Sequence, residues 1–215
     1  MSEKKILFSE LYFSGNEDSW KEYEQEYYDF VDVQLEKEIE RIRSIDCIEN
    51  FYSFLIDKLL KWSLISDFIY ESNVKRLKEE YENDRNKLNV IFDKICEYVK
   101  KIENDSTEDY TYISNGINLL TEIVGVGPVC STSFLAIILP SKFGVVSRHI
   151  IEPMKEVYSD VKEYKKVISK KQACELEIKL NEISRTINKR FDSNYWTPRK
   201  VDKVLWTIEM MNNKL

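Results

Sequence analysis

The sequence predicts an all-α protein, a helical bundle, on three observations. Its 215 residues hold only five Gly and four Pro. Long stretches are rich in Glu, Lys, Leu and Ile, which favour helix over sheet. Apolar residues recur at three- and four-residue intervals, and no alternating pattern of strands is visible. A chain of this length, 43% hydrophobic and 33% charged, has enough apolar surface to bury a core.

The elements follow in order. The stretch "SWKEYEQEYYDFVDVQLEKEIERIRS" (19–44) aligns Trp20, Tyr23, Tyr27, Phe30, Val31, Leu35, Ile39 and Ile42 on one helical stripe, with an acidic opposite face. "IENFYSFLIDKLLKWSL" (48–64) is a more apolar helix, and "NVKRLKEEYENDRNKLNVIFDKICEYVKKI" (73–102) reads as one long amphipathic helix. The polar run "ENDSTEDY" (103–110) is the best linker. It divides an acidic helical subdomain, 1–109, from a subdomain of 110–215 with basic C-terminal helices, unless the two pack as one domain. "TYISNGINLLTEI" (111–123) is a helix, and another spans 128–138 with Pro128 at its first turn, where the missing N–H costs nothing. After "LPSKFGVV", Ser147 is placed as N-cap of a helix over 148–158. A helix over 171–191 aligns Leu176, Leu180, Ile183, Ile187 and Phe191. The last opens with Thr197 as cap and Pro198 at its first position.

Two of the five glycines sit one residue apart, in Gly125-Val126-Gly127-Pro128 between two apolar helices. Helix, GVG, helix is a helix-hairpin-helix pattern. Glycines there allow positive φ and let a bulky partner approach the backbone. The N–H groups of such a turn, together with the positive end of the next helix, make an anion site suited to a nucleic-acid phosphate. The other reading is a tight turn that only packs two core helices.

The segment of about residues 112 to 158, roughly a fifth of the chain, resembles the helix-hairpin-helix of the endonuclease III type of DNA glycosylase. In that superfamily an L-x-G-V-G-x-K hairpin is followed, twenty residues after the second glycine, by the Asp of a V-D-x-H motif. Here Gly125-Val126-Gly127 aligns, and Val146-Ser147-Arg148-His149 falls at the right distance, with the chain's one histidine on the family's His position. The tail "YWTPRKVDKVLW" is similar to that of an uncharacterised helix-hairpin-helix group with a W-T-P-R-x-V-x-x-A-L-W pattern. That group also carries a segment like "LLKWSL" (59–64).

The resemblance implies a glycosylase-like fold that holds DNA by its phosphates, through Gly125, Val126, Gly127, Val129, Lys142, Arg148 and His149. It also shows what is missing. Val129 stands where bifunctional members have the amine that attacks the sugar, and Ser147 stands where the catalytic Asp would be. Ordinary base excision is therefore not expected. A glycosylase with a relocated carboxylate, drawn from Glu152, Glu156 or Asp160, is a further reading. Ser131, Thr132 and Ser133 look nucleophile-like beside Cys130, but with a single His they read as small polar packing residues.

Charge is unevenly spread. Residues 1–109 carry 16 Lys+Arg against 27 Asp+Glu, and residues 110–215 carry 16 against 11. That asymmetry suits non-sequence-specific DNA binding by the C-terminal half and a protein partner at the acidic half, or an interaction scaffold whose hairpin is only a helical corner. The discriminator is whether Lys142, Arg148, Lys189, Arg190, Arg199, Lys200 and Lys203 gather at the hairpin. Cys47, Cys96, Cys130 and Cys174 show no metal-like spacing and read as reduced thiols. No cofactor or metal is expected. The apolar runs are too short for a membrane span, and the N-terminus lacks a secretory pattern, so an intracellular, cytoplasmic or nuclear protein is expected.

Overall fold

Side-chain caps start several of the helices. Asn16 accepts the Ser19 N–H at 2.8 Å and starts a helix over Glu17–Glu26. Asp84 accepts the Lys87 N–H at 3.2 Å. Ser169 and Gln172 exchange bonds in a reciprocal capping box. Thr197 accepts the Lys200 N–H, with Pro198 at the first helical position as the sequence predicts.

The computed structural model describes residues 5–31, 37, 47–61, 67–103, 110–162 and 167–214. Helices α1 (Phe8–Ser14) and α2 (Glu17–Glu26) come first, and a 3-10 turn, Tyr27–Asp29, ends α2. Next are α3 (Ile48–Phe54), continued by a π-helical stretch Leu55–Leu60, α4 (Asp67–Asn83) and α5 (Arg85–Glu103). The second half holds α6 (Thr111–Leu120), α7 (Pro128–Ile138), a 3-10 turn Arg148–Ile150 leading into α8 (Ile151–Lys155), α9 (Lys170–Phe191) and α10 (Pro198–Asn212). No strand occurs among the described residues. The class is all-α.

Three expectations need correcting. The helix expected over 19–44 leaves α geometry after Glu26, because Tyr27 and Phe30 turn edge-on to Trp206 of α10. Beyond residue 31, Lys37 alone is described, and it is helical; the rest of the stretch lies outside the described residues. The single helix expected over 73–102 is two, since the Asp84 cap ends one ladder and begins another. Ser147 does not cap. Its hydroxyl is buried without a hydrogen-bond partner among the described residues, and the chain enters α8 through a 3-10 turn instead. The linker expected at 103–110 also lies almost wholly outside the described residues.

One connected set of buried apolar side chains runs from Phe8 to Ile208 and draws on both halves. Helix α10 is central, packing on α2, α8 and α9, while α6 joins α5, α7 and α9. Helix α1 is seated by Phe8 and Leu11 and held by polar side chains from the C-terminal half. Asn212 makes two bonds of 2.8 Å to the Ile6 backbone. Glu156 accepts the Ser9 N–H in the first turn of α1 at 3.0 Å, and the Arg190 guanidinium binds the Tyr12 and Gly15 carbonyls at its end. A carboxylate at the amino end and a cation at the carboxyl end both complement the helix dipole.

Candidate functional site

The turn between α6 and α7 closes through local bonds. Thr121 caps the last carbonyls of α6, and the Val126 N–H donates to the Ile123 carbonyl at 3.1 Å. Gly125 takes φ +87°, and a Cβ there would lie 3.0 Å from the Asn73 carbonyl oxygen of α4. The close approach that this glycine permits is therefore to the protein itself. Gly127 is different. Its backbone is extended, at φ −90° and ψ 177°, and a Cβ would meet nothing within 4 Å. Of the two glycines expected to supply positive φ and close approach, only Gly125 does.

The nearest anion at this turn is a side chain of the protein. Glu80 of α4 accepts the Val124 N–H at 2.9 Å, is itself paired with Lys87, and its side chain is 8% exposed. Val126 is buried in the core and Val129 is half-buried on the first turn of α7. Ser131, Thr132 and Ser133 are fully buried, and their hydroxyls donate back to the Gly127 and Val129 carbonyls, the packing role expected for them.

Beyond α7 the chain runs through Phe143–Ser147 without helix, and three helices hold it. The Gly144 N–H donates to Glu177 of α9 at 3.0 Å, the Val145 N–H to Asp202 of α10 at 2.6 Å, and the Val146 N–H to the Thr132 hydroxyl of α7 at 3.2 Å. A Cβ on Gly144 would lie 2.7 Å from the Pro198 carbonyl, so only glycine lets the loop come this close. Lys142 contributes its carbonyl, which accepts from Asn181 at 3.0 Å and from Tyr112 at 3.4 Å.

Glu177 and Asp202 are the site residues that sequence reasoning missed. Both stand on the inward stripes of their helices, and a carboxylate at an apolar register is the signal that would have found them. Asp202 also accepts from Arg199 at 2.6 Å. Glu177 is fully buried, and its second oxygen has no hydrogen-bond partner among the described residues. Burial pushes its carboxyl well above the usual carboxylate range, the Gly144 N–H opposes this, and the Asp202 charge adds to it.

Arg148 is exposed at the end of this loop, and His149 packs edge-on against Trp206, ring centroids 6.0 Å apart. Burial lowers the His149 pKa, and the neighbouring Arg148 charge adds to the effect. The carboxylates expected as substitutes for an absent Asp are engaged elsewhere: Glu152 with Lys155, Glu156 with α1, and Asp160 with Lys179.

The other basic residues do not gather at the turn. Arg199 is 5% exposed and sits over the Tyr27 ring, and Lys203 is 3% exposed and donates to the Tyr28 hydroxyl at 2.7 Å. Lys200 lies over the Tyr195 ring, whose hydroxyl donates to Glu24 at 2.6 Å. Arg190 holds α1. Lys189 is exposed on the last turn of α9. Three of the seven, Arg190, Arg199 and Lys203, thus contact the N-terminal segment, and Lys200 packs on Tyr195, which bonds Glu24. The four cysteines are free thiols, Cys130 buried and the others half-buried. Among the described residues there is no group of His, Cys, Asp and Glu that could hold a metal ion, and no helix long and apolar enough to cross a membrane.

Residues 13–159, roughly two thirds of the chain, match the model of a family described as a protein of unknown function (DUF1759). The match runs from the end of α1 through α8 and leaves out α9 and α10, which carry Glu177 and Asp202. No curated protein and no solved structure matches the chain.

Proposed function

Since this chain belongs to the DUF1759 family, whose function is unknown, we propose its role from its own geometry: a non-enzymatic interaction or scaffold protein in which the GVG turn is a helical corner. The observation that carries this reading is the direction of the basic side chains of α9 and α10. Arg190, Arg199 and Lys203 contact the N-terminal segment, and Lys200 packs on Tyr195, which bonds Glu24, so much of the charge excess of the second half is used inside the molecule. A phosphate-binding turn needs unpaired amides and nearby cations. Here Glu80 takes one amide, and the cation beside it, Lys87, is paired with Glu80.

The partner surface in this reading is the outer face of α2 and the turn after it, where Glu22 and Asp29 stay exposed. A protein with a basic face is the matching chemistry. Nucleic-acid binding through Lys142, Arg148 and His149 is the competing outcome.

The test measures melting temperature and affinity for duplex DNA on Gly125→Val and Arg148→Glu. Under the scaffold reading Gly125→Val loses stability, Arg148→Glu does not, and neither variant differs from the parent in background DNA retention. A folded Arg148→Glu protein that has lost saturable binding shown by the parent would overturn the reading.

A further inference from the structure

The amides of Gly144, Val145 and Val146 are consecutive, and each is held by a side chain of a different helix. The loop has no backbone ladder of its own at these residues. Two of the three acceptors are carboxylates on adjacent amides, Glu177 and Asp202, and only Asp202 receives the Arg199 guanidinium. Glu177 is fully buried, with one oxygen on Gly144 and the other without a hydrogen-bond partner among the described residues. We infer that Phe143–Ser147 is a pH-operated latch, closed while Glu177 is neutral and released when Glu177 gains its charge beside Asp202.

The surroundings favour release of the loop over any other response. From α10 the charged groups near Glu177 are Asp202 and, behind it, Arg199. From α5 there is Tyr98, whose own ionisation is opposed by Glu177, and from α6 Tyr112, which bonds Asn181 one turn along α9. Cys174 stands one turn before Glu177 on the same helix, and its thiol is likewise pushed up by burial and by Glu177. The α7 residue at this loop, Thr132, does not titrate. Of these groups only Arg199 is a cation, and its ion pair is with Asp202. A charge on Glu177 strengthens its bond to Gly144 but repels the carboxylate that holds Val145.

Helices α9 and α10 keep their internal ladders, so water reaches Glu177 most cheaply by lifting the loop. Arg148 and His149 follow the loop directly, and release frees them from the position that His149 takes against Trp206.

The sign is definite. Glu177 binds its proton more tightly in the closed form, so closure is fully favoured below the ordinary value of 4.5 and is lost as pH rises through the raised value. Amide hydrogen exchange on the full chain tests this, with rates at Gly144, Val145 and Val146 normalised to their intrinsic pH dependence. Protection is expected to fall tenfold or more as pH rises from about 4.5 to about 8, while the α9 and α10 amides keep theirs. Glu177→Gln, which keeps an acceptor for Gly144 and cannot ionise, is expected to hold constant protection. A flat profile in the parent, or the same fall in Glu177→Gln, would overturn the latch. Should that variant not fold, carbon-13 titration of the Glu177 carboxyl in the parent decides. Its midpoint must coincide with loop release, and a midpoint near the ordinary carboxylate range contradicts the proposal.

Discussion

Gly125 and Gly127 look equivalent in the sequence, and folding makes them opposites. Gly125 has positive φ and the Asn73 carbonyl 3.0 Å from a Cβ, so Gly125→Ala is expected to cost about 1–3 kcal/mol. Gly127 is extended with open space around it, so Gly127→Ala is expected to be neutral or to stabilise by about 0.4–1 kcal/mol, by restricting the unfolded chain. Urea unfolding midpoints of the two variants check this, and the reverse order would contradict the turn geometry. The hinge was legible in the sequence, but which glycine bends was not, because the sign of φ is set by contact with α4, over forty residues earlier. Glu80 is a similar case. Glu80→Ala leaves the Val124 N–H without its acceptor and is expected to cost about 1–3 kcal/mol.

At the scale of elements, periodicity located most helices because their apolar stripes are continuous. Leu176, Leu180, Ile183 and Ile187 are buried on α9 as the spacing predicts. Breaks were harder to see. Asp84 interrupts an amphipathic pattern without disturbing its period, and only its capping bond shows that two helices meet there. The capping box of Ser169 and Gln172 starts α9 at Lys170, one residue before the expected 171. The clamp on α1 could not be read at all, since Asn212, Glu156 and Arg190 come from three distant elements. Arg190→Ala is expected to lower hydrogen-exchange protection over residues 8–14 with little change in global stability, a cost of about 0.3–1 kcal/mol. Phe8→Ala, which empties a fully buried position, should cost about 3–5 kcal/mol and lower the unfolding midpoint of the whole chain. Equal effects from both variants would mean that α1 does not open separately.

Across the whole molecule, two titrations of opposite sign shape stability. His149 is held neutral, so its contribution is present above its ordinary value of 6.5 and is lost as pH falls through the depressed value. Glu177 contributes in the opposite sense, losing its share as pH rises. Melting temperature against pH should therefore weaken on both sides. His149→Phe is expected to flatten the acid side, and Glu177→Gln the alkaline side. The charge asymmetry between the halves was legible in the composition, but its destination was not. Composition cannot distinguish a cation waiting for phosphate from one already seated on Tyr27, Tyr28 or the end of α1.

That distinction is the centre of the account, and a salt-dependent titration of the parent protein with duplex, abasic-site and single-stranded DNA tests it most directly. With the α10 cations committed internally and Glu80 at the turn, all three DNAs should show only background retention, even at low salt. Saturable duplex binding would contradict the account if log K fell against log[salt] by about 0.9 per phosphate over several phosphates, and if Arg148→Glu abolished it.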